Sequence, residues 1–228
     1  MSIWGRNTLL KIENLNVYYD HFHVLQNVSL HVEKGEAVGL VGANGHGKST
    51  LLKAISGLIP IASGHVSLNG ERINGLSAPE LVKRGLIYVA EDRRLFREMT
   101  VRDNLLLGAY LPRGQDRLQD NLALVFDLYP RLKERQGQLA RTLSGGEAQM
   151  LALGRGLMAA AEFMAIDEPS LGLAPNLVKT MLNTIEAINR SGITIMLVEQ
   201  NTAQLEKFID RLYVLEEGQI TRETSFKS

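Results

Sequence analysis

The sequence contains no cysteine among its 228 residues. This absence excludes disulfide bonds, cysteine-based metal sites and a thiol nucleophile. Net charge is also absent, because 25 Lys and Arg residues balance 25 Asp and Glu residues. Such a balance gives no indication of binding to nucleic acid, and we predict no nucleic-acid partner. The length suffices for one large domain or two small ones.

Long apolar segments are missing too. No run approaches the roughly 18 residues that a membrane-spanning helix needs, and residues 1–7 lack the apolar part of a secretion signal. We also find no low-complexity segment and no repeat at solenoid periods. Any connection to a membrane is therefore expected to pass through a partner protein.

A glycine-rich motif lies at residues 42–50 and fits the pattern G-x-x-x-x-G-K-[ST]. The sequence predicts a buried strand before it and a helix after it, a context that favours a phosphate-binding loop over a chance glycine turn. Lys48 would reach the β- and γ-phosphates of a nucleotide, and Ser49 would bind Mg²⁺. The predicted nucleotide-binding residues of this loop are Gly42, Ala43, Asn44, Gly45, His46, Gly47, Lys48, Ser49 and Thr50.

The rest of the chain alternates between strand and helix patterns. Residues 9–33 predict β-structure, and Asn69-Gly70 predicts a hairpin turn. Helical patterns cover residues 100–155 and 176–190. Buried strands are predicted at residues 37–41, 86–90, 163–167 and 193–198, before a closing hairpin. Alternation of this kind predicts an α/β fold with a parallel core sheet and an antiparallel β-layer near the N-terminus.

Asp167 and Glu168 follow four apolar residues at the end of a predicted strand. An aspartate there could bind the Mg²⁺ that Ser49 also binds, and the adjacent glutamate could act as general base or orient the attacking water. An ordinary acidic strand end is the alternative. The phosphate-binding loop earlier in the chain favours the functional interpretation, because ligands bind at the carboxyl ends of parallel strands.

A second anion site is predicted at residues 143–147, Leu-Ser-Gly-Gly-Glu, which precede an apolar helix. As an alternative, Ser144 and Glu147 form a capping box, although this leaves the two intervening glycines unexplained. Because this motif belongs to the helical part, we expect a head-to-tail dimer. ATP would lie between the loop of one subunit and this motif of the other. The motif residues that we expect to contact ATP are Ser144, Gly145, Gly146 and Glu147.

These three motifs in this order resemble the ATP-binding cassette (ABC) ATPases over nearly the whole chain. The resemblance implies a P-loop NTPase fold of the ABC ATPase type in a single domain, 1–228. Residues 1–90 and 161–228 would form the nucleotide-binding core with an antiparallel β-subdomain, and about 91–160 a helical subdomain. It also implies that Tyr19, or alternatively Tyr18, stacks on adenine, with a core tyrosine as the other interpretation. Residues 170–173 resemble the D-loop that touches the partner subunit.

Three positions depart from the usual family pattern. Glu91 stands where a glutamine is usual, Gln200 where a histidine is usual, and His46 where a small residue is usual, which we interpret as a tolerated variable position. A glutamine at 200 can hydrogen-bond a γ-phosphate but cannot carry histidine chemistry. The segments around Glu91, Asp167 and Gln200 resemble the LivF-type ATPases of branched-chain amino acid importers.

The resemblance implies an ATP-hydrolysing subunit of an importer for branched-chain amino acids or related small solutes, peripheral at the cytoplasmic face of the membrane. Its partners would be a second ABC ATPase subunit, two transmembrane permease subunits and, indirectly, a solute-binding protein. ATP and Mg²⁺ would be the cofactors. Alternatives are an ABC ATPase in a non-transport role and a weakly hydrolysing regulatory subunit. The predicted catalytic residues are Glu168, Lys48, Gln200 and Glu91, and the predicted metal ligands are Ser49, Asp167 and Glu91.

Overall fold

The computed structural model describes residues 7–200 and 205–226. Residues 1–6, where the sequence predicts no secretion signal, and Asn201 beside the predicted catalytic Gln200 lie outside these ranges. The strands are β1 (Thr8–Tyr19), β2 (Phe22–Glu33), β3 (Ala37–Val41), β4 (Ser63–Leu68), β5 (Glu71–Arg72), β6 (Leu86–Val89), β7 (Phe163–Asp167), β8 (Thr194–Glu199), β9 (Arg211–Glu216) and β10 (Gln219–Ser225). The helices are α1 (Lys48–Ile55), α2 (Ala78–Lys83), α3 (Val101–Gly108), α4 (Pro112–Gln115), α5 (Leu118–Leu128), α6 (Pro130–Glu134), α7 (Gly145–Met158) and α8 (Pro175–Arg190).

The larger sheet has six strands in the order β10-β9-β3-β8-β7-β6. All neighbours pair in parallel except β9 and β10. Strands β3, β7 and β8 are buried along their whole length, because both faces of the sheet are covered. Alternate residues along each strand belong to two different cores. This arrangement explains why these strands are continuous apolar runs in the sequence.

The smaller sheet has the order β2-β1-β4-β5 and is antiparallel. Its buried face packs against α1, α2 and one face of the larger sheet. The predicted hairpin turn joins β4 to β5, and Asn69 and Gly70 both have positive φ, 52° and 78°. This is the backbone of a type I′ turn, which Asn-Gly favours.

The helices α3 to α7 lie between β6 and β7 in the chain and pack with α8 on the other face of the larger sheet. The predicted α/β fold, with its parallel core sheet and N-terminal antiparallel sheet, is confirmed. No helix in the described ranges is long and apolar enough to cross a membrane.

Candidate functional site

The glycine-rich loop connects β3 to α1 at the carboxyl end of the larger sheet. Gly47 caps α1 with a left-handed φ of 101°, a conformation that side chains rarely adopt. At Gly42 a Cβ atom would clash with the carbonyl oxygen of Leu215. Both positions therefore require glycine. The first N–H groups of α1, which follow this loop, have no acceptor within the helix.

The Lys48 side chain folds back into this loop and is only 4% exposed. Its Nζ donates to the carbonyl oxygens of Gly42 and Ala43, at 2.9 and 3.1 Å. Nζ also lies 3.4 Å from the Glu168 carboxylate. The ammonium is thus held at the centre of the loop, beside the acidic end of β7.

Asp167 ends β7 and is 1% exposed. Its Oδ1 accepts a hydrogen bond from the Ser49 hydroxyl at 3.0 Å, and its Oδ2 accepts one from the Tyr88 hydroxyl at 2.9 Å. Burial raises the pKa of Asp167, although both hydrogen bonds oppose the shift. Burial, together with the Asp167 charge, raises the pKa of Tyr88, so the phenol remains a proton donor.

The Ser49 hydroxyl and the Asp167 carboxylate suit Mg²⁺, which prefers oxygen ligands. No group of three or more His, Asp or Glu residues that could hold a metal ion occurs in the described part of the chain. Mg²⁺ is commonly bound by one or two protein oxygens together with substrate phosphates. A pair of oxygen donors beside a phosphate-binding loop fits this mode of binding.

Glu168 has a positive φ of 41°, which is uncommon outside glycine and often occurs at functional sites. Its N–H donates to the carbonyl oxygen of Val198 on the neighbouring strand, at 3.0 Å. Its Oε2 accepts from the Gln200 amide at 2.6 Å. The carboxylate is 9% exposed and is held between an amide and the Lys48 ammonium.

Lys48, Ser49, Glu168 and Gln200 line one cleft of about 320 Å³, whereas Asp167 and Tyr88 are not among its lining residues. Glu91, Glu168 and Gln200 line the same cleft as residues of the glycine-rich loop. The cleft is lined by Asn44, Gly45, Gly47, Lys48, Ser49, Thr50, Glu91, Glu168, Leu171 and Gln200. His46 is not among the lining residues, and its Nδ1 is buried without a hydrogen-bond partner in the described part of the chain.

The aromatic residues near the end of β1 are exposed. Tyr18 and Tyr19 are 42% and 43% exposed, and Phe22 is 78% exposed. The Tyr18 ring stacks on His23 at 4.1 Å between centroids. The interpretation of Tyr19 as a core tyrosine is therefore wrong, since its ring is available to a planar ligand. Tyr19 does not line the cleft described above.

The motif at residues 143–147 forms the start of α7, away from the cleft. Ser144 Oγ accepts from the Glu147 N–H at 3.3 Å, and Glu147 Oε2 accepts from the Ser144 N–H at 3.0 Å. The capping box that the sequence predicted is thus present. Ser144 and Gly145 are exposed, and none of residues 144–147 lines the cleft.

Two contacts of the site are not predicted by any sequence motif. Tyr88 on β6 donates to Asp167 on the neighbouring strand β7. The only sequence signal for this contact is a tyrosine, with its polar hydroxyl, within an otherwise apolar strand. Glu199 is 5% exposed and accepts from the backbone N–H and hydroxyl of Ser170, at 3.0 and 2.7 Å. Glu199 thereby fixes the start of the segment that contains Leu171 at the rim of the cleft.

Comparison with known proteins agrees with this geometry. A family model described as ABC transporter matches residues 25–171, more than half of the chain. The chain belongs to the ABC transporter family. This ABC protein is 44% identical over 212 residues to the high-affinity branched-chain amino acid transport ATP-binding protein BraG of Pseudomonas aeruginosa, covering 93% of this chain and 91% of that protein.

A probable branched-chain amino acid transport ATP-binding protein LivF of Archaeoglobus fulgidus is 35% identical, covering 93% of this ABC chain and 90% of that protein. One similar solved structure is the ADP conformation of an ATP-binding cassette of an ABC transporter. It has a TM-score of 0.82 at 30% identity and covers 96% of this chain and 91% of that one. A nucleotide-free cassette gives a TM-score of 0.84 at 29% identity, with the same coverage of both chains.

The resemblance to ABC ATPases of the LivF type and the ABC cassette fold are confirmed by these comparisons. This ABC protein is the ATP-binding subunit of an importer, and it is an ATPase that hydrolyses ATP to drive transport.

Proposed function

We propose that this subunit powers the uptake of branched-chain amino acids across a cell membrane. The observation that carries the proposal is the 44% identity to BraG over 93% of the chain. In this proposal the whole chain works as one cassette: residues 1–90 and 161–228 form the nucleotide-binding core and residues 91–160 the helical part. The solute is chosen by the permease and binding protein, while this chain supplies the energy.

Lys48 is the proposed phosphate ligand. Its ammonium already faces the centre of the loop, where it donates to two backbone carbonyls and contacts Glu168. The β- and γ-phosphate oxygens of ATP carry more negative charge than these carbonyls, so the ammonium should turn to them. The Glu168 carboxylate would then be free to accept a proton from the attacking water.

Ser49 and Asp167 are the proposed ligands of Mg²⁺, which would neutralise charge on the phosphates. Gln200 is proposed to orient the Glu168 carboxylate, to which its amide donates at 2.6 Å. The same amide could donate to a γ-phosphate, but it cannot carry a positive charge. Glu91 also lines the cleft, where its negative charge would be tolerated only if it contacts Mg²⁺ or if a water molecule separates it from the phosphates.

A second ABC ATPase subunit is proposed to complete the site. The N-terminus of α7 is exposed at Ser144 and Gly145 and points to an anion site, yet these residues do not line the cleft of their own chain. Leu171 at the rim of the cleft is 48% exposed and is available to a partner. Both features fit a head-to-tail dimer in which each subunit supplies Ser144, Gly145, Gly146 and Glu147 to the ATP bound by the other. Tyr19 of the subunit that binds the ATP would stack on its adenine.

A permease is proposed to dock in a groove of about 640 Å³ beside the cleft. Phe96, Leu107 and Tyr110 line it and are 52%, 38% and 57% exposed. An apolar surface of this kind indicates a protein partner. Two permeases, one on each ATPase subunit, would hold this chain at the cytoplasmic face of the membrane and connect it indirectly to a solute-binding protein.

Arg155 connects this groove with α7, the helix whose N-terminus is the proposed second anion site. From α7, its guanidinium donates to the carbonyl oxygens of Arg94 and Arg93, at 2.8 and 3.0 Å, and lies 5.8 Å from the centroid of the Phe96 ring. Arg93 in turn donates to Gln149 of α7 at 2.9 Å. Movement of a docked permease would therefore pass through this segment to α7.

Uptake of labelled leucine tests the proposed function in cells that lack this chain and are complemented with variants. Wild type and Lys133→Ala, a change at an exposed lysine, should restore uptake. Lys48→Ala should not, because it removes the phosphate ligand. Normal leucine, isoleucine and valine uptake without the chain would refute the proposed substrate class.

A further inference from the structure

Tyr88 connects the permease groove with the predicted magnesium carboxylate. It lies on β6, the edge strand of the larger sheet, opposite Ala165 of β7. It lines the apolar groove, and its hydroxyl donates to Asp167 Oδ2 at 2.9 Å. One side chain thus lines the groove and also bonds a carboxylate that contacts Ser49 of the phosphate-binding loop.

The two oxygens of Asp167 have different partners. Oδ1 accepts from Ser49, whose hydroxyl is the other proposed metal ligand, whereas Oδ2 accepts from Tyr88. Since the carboxylate is almost fully buried, water cannot replace either donor without a cavity. The phenol therefore fixes the carboxylate plane and leaves Oδ1 beside Ser49.

We propose that Tyr88 is a positioning residue for the Mg²⁺ site: its hydroxyl holds Asp167 so that Oδ1 lies beside the Ser49 hydroxyl, and these two oxygens would hold the ion. The inference rests on the proposed function, which makes Ser49 and Asp167 the metal ligands. Partners that orient metal-binding carboxylates contribute to affinity although they never touch the metal. In a purely structural role the hydroxyl of this partly buried tyrosine would only need an acceptor. Only the positioning role predicts an effect that depends on the metal.

Tyr88→Phe tests the inference, since it removes one oxygen and keeps the ring in the groove. A fluorescent ATP analogue is titrated onto the purified chain, first in EDTA and then at increasing Mg²⁺. The Mg²⁺ concentration for half-saturation should rise about 10–100-fold, while binding in EDTA should stay within about twofold. Tyr129→Phe is the matched control: Tyr129 is buried, and its hydroxyl has no hydrogen-bond partner among the described residues.

A double-mutant cycle with Asp167→Asn provides the second measurement. If Tyr88 acts through Asp167, Tyr88→Phe should have no further effect on the Mg²⁺ dependence once the aspartate is replaced. An unchanged Mg²⁺ dependence in Tyr88→Phe, or an equal loss of binding in EDTA, would overturn the inference alone. A wild-type chain whose nucleotide binding ignores Mg²⁺ would overturn the proposed metal site with it.

Discussion

Replacing Glu168 by Gln probes both contacts of this carboxylate, the ion pair with Lys48 and the proposed reaction with water. The pair measures 3.4 Å, and its side chains are only 4% and 9% exposed. Glutamine keeps the shape of the side chain and one acceptor oxygen but removes the charge. Stability and turnover should therefore respond separately.

The magnitude of the stability loss follows from the contacts that remain. Removing one partner of a buried ion pair costs about 3–5 kcal/mol when the other charge is left uncompensated. Lys48 keeps the Gly42 and Ala43 carbonyl oxygens as acceptors, and the new amide oxygen can also accept. We therefore expect a loss of about 1–3 kcal/mol, which for a chain of this size lowers Tm by roughly 2–4 °C per kcal/mol.

Turnover should fall further than stability. Loss of a general base lowers a rate by about 10²–10⁴-fold, while the phosphate-binding loop of Glu168→Gln is intact. The variant should therefore bind MgATP and accumulate as a stable dimer. Thermal unfolding without nucleotide, phosphate release and size-exclusion chromatography in MgATP measure the three effects.

Glu98→Gln is the matched control for stability. Glu98 pairs with Arg141 at 3.3 Å, a similar distance, but the two side chains are 79% and 51% exposed. Exposed pairs contribute about 0–1 kcal/mol, so Tm should hardly change. Wild-type turnover in Glu168→Gln would show that Glu168 is not the base, and an unchanged Tm would show that its pair with Lys48 does not stabilise the fold.

Two further predictions concern coupling and pH. Arg155→Met removes the hydrogen bonds to Arg93 and Arg94; phosphate release stimulated by the permease should fall roughly tenfold, while release by the isolated chain should not. An equal loss in both would contradict the proposed connection. Burial raises the pKa of Glu199 above its ordinary value of 4.5, although hydrogen bonds from Ser170 oppose the shift. Protonation therefore stabilises the fold fully below pH 4.5, and this contribution is lost as pH rises through the folded pKa. In Glu199→Gln the free energy of unfolding, measured in urea, should fall less steeply between pH 4 and 8 than in the wild type. The same pH dependence in both proteins would contradict this role of Glu199.

The sequence predicted those features whose signals are local. The glycine-rich loop, the acidic end of β7 and the Asn69-Gly70 turn each depend on adjacent residues, so their chemistry can be inferred without a structure. The capping box at Ser144 is local in the same way. The fold class was equally accessible, because the buried strands are continuous apolar runs between helical patterns.

Other features depend on strands that meet only in the folded chain. The bond from Tyr88 to Asp167 joins residues 79 positions apart and requires the observed pairing of β6 with β7. The contact of Glu199 with Ser170 likewise depends on how the chain packs. The same is true of the hydrogen bonds from Arg155 to the carbonyl oxygens of Arg93 and Arg94. A single sequence has no periodicity or motif that predicts such pairs. The exposure of Tyr19 also escaped prediction, since a tyrosine at a strand end occurs both in cores and on surfaces.

Isolation of this chain from native membranes in mild detergent tests the central claim most directly. Mass spectrometry of the purified complex should identify two hydrophobic permeases and a second ABC ATPase, as expected for a subunit that powers an importer. Recovery of the chain alone, or with ribosomes or DNA, would contradict the account of its transport partners, even if its cleft binds ATP.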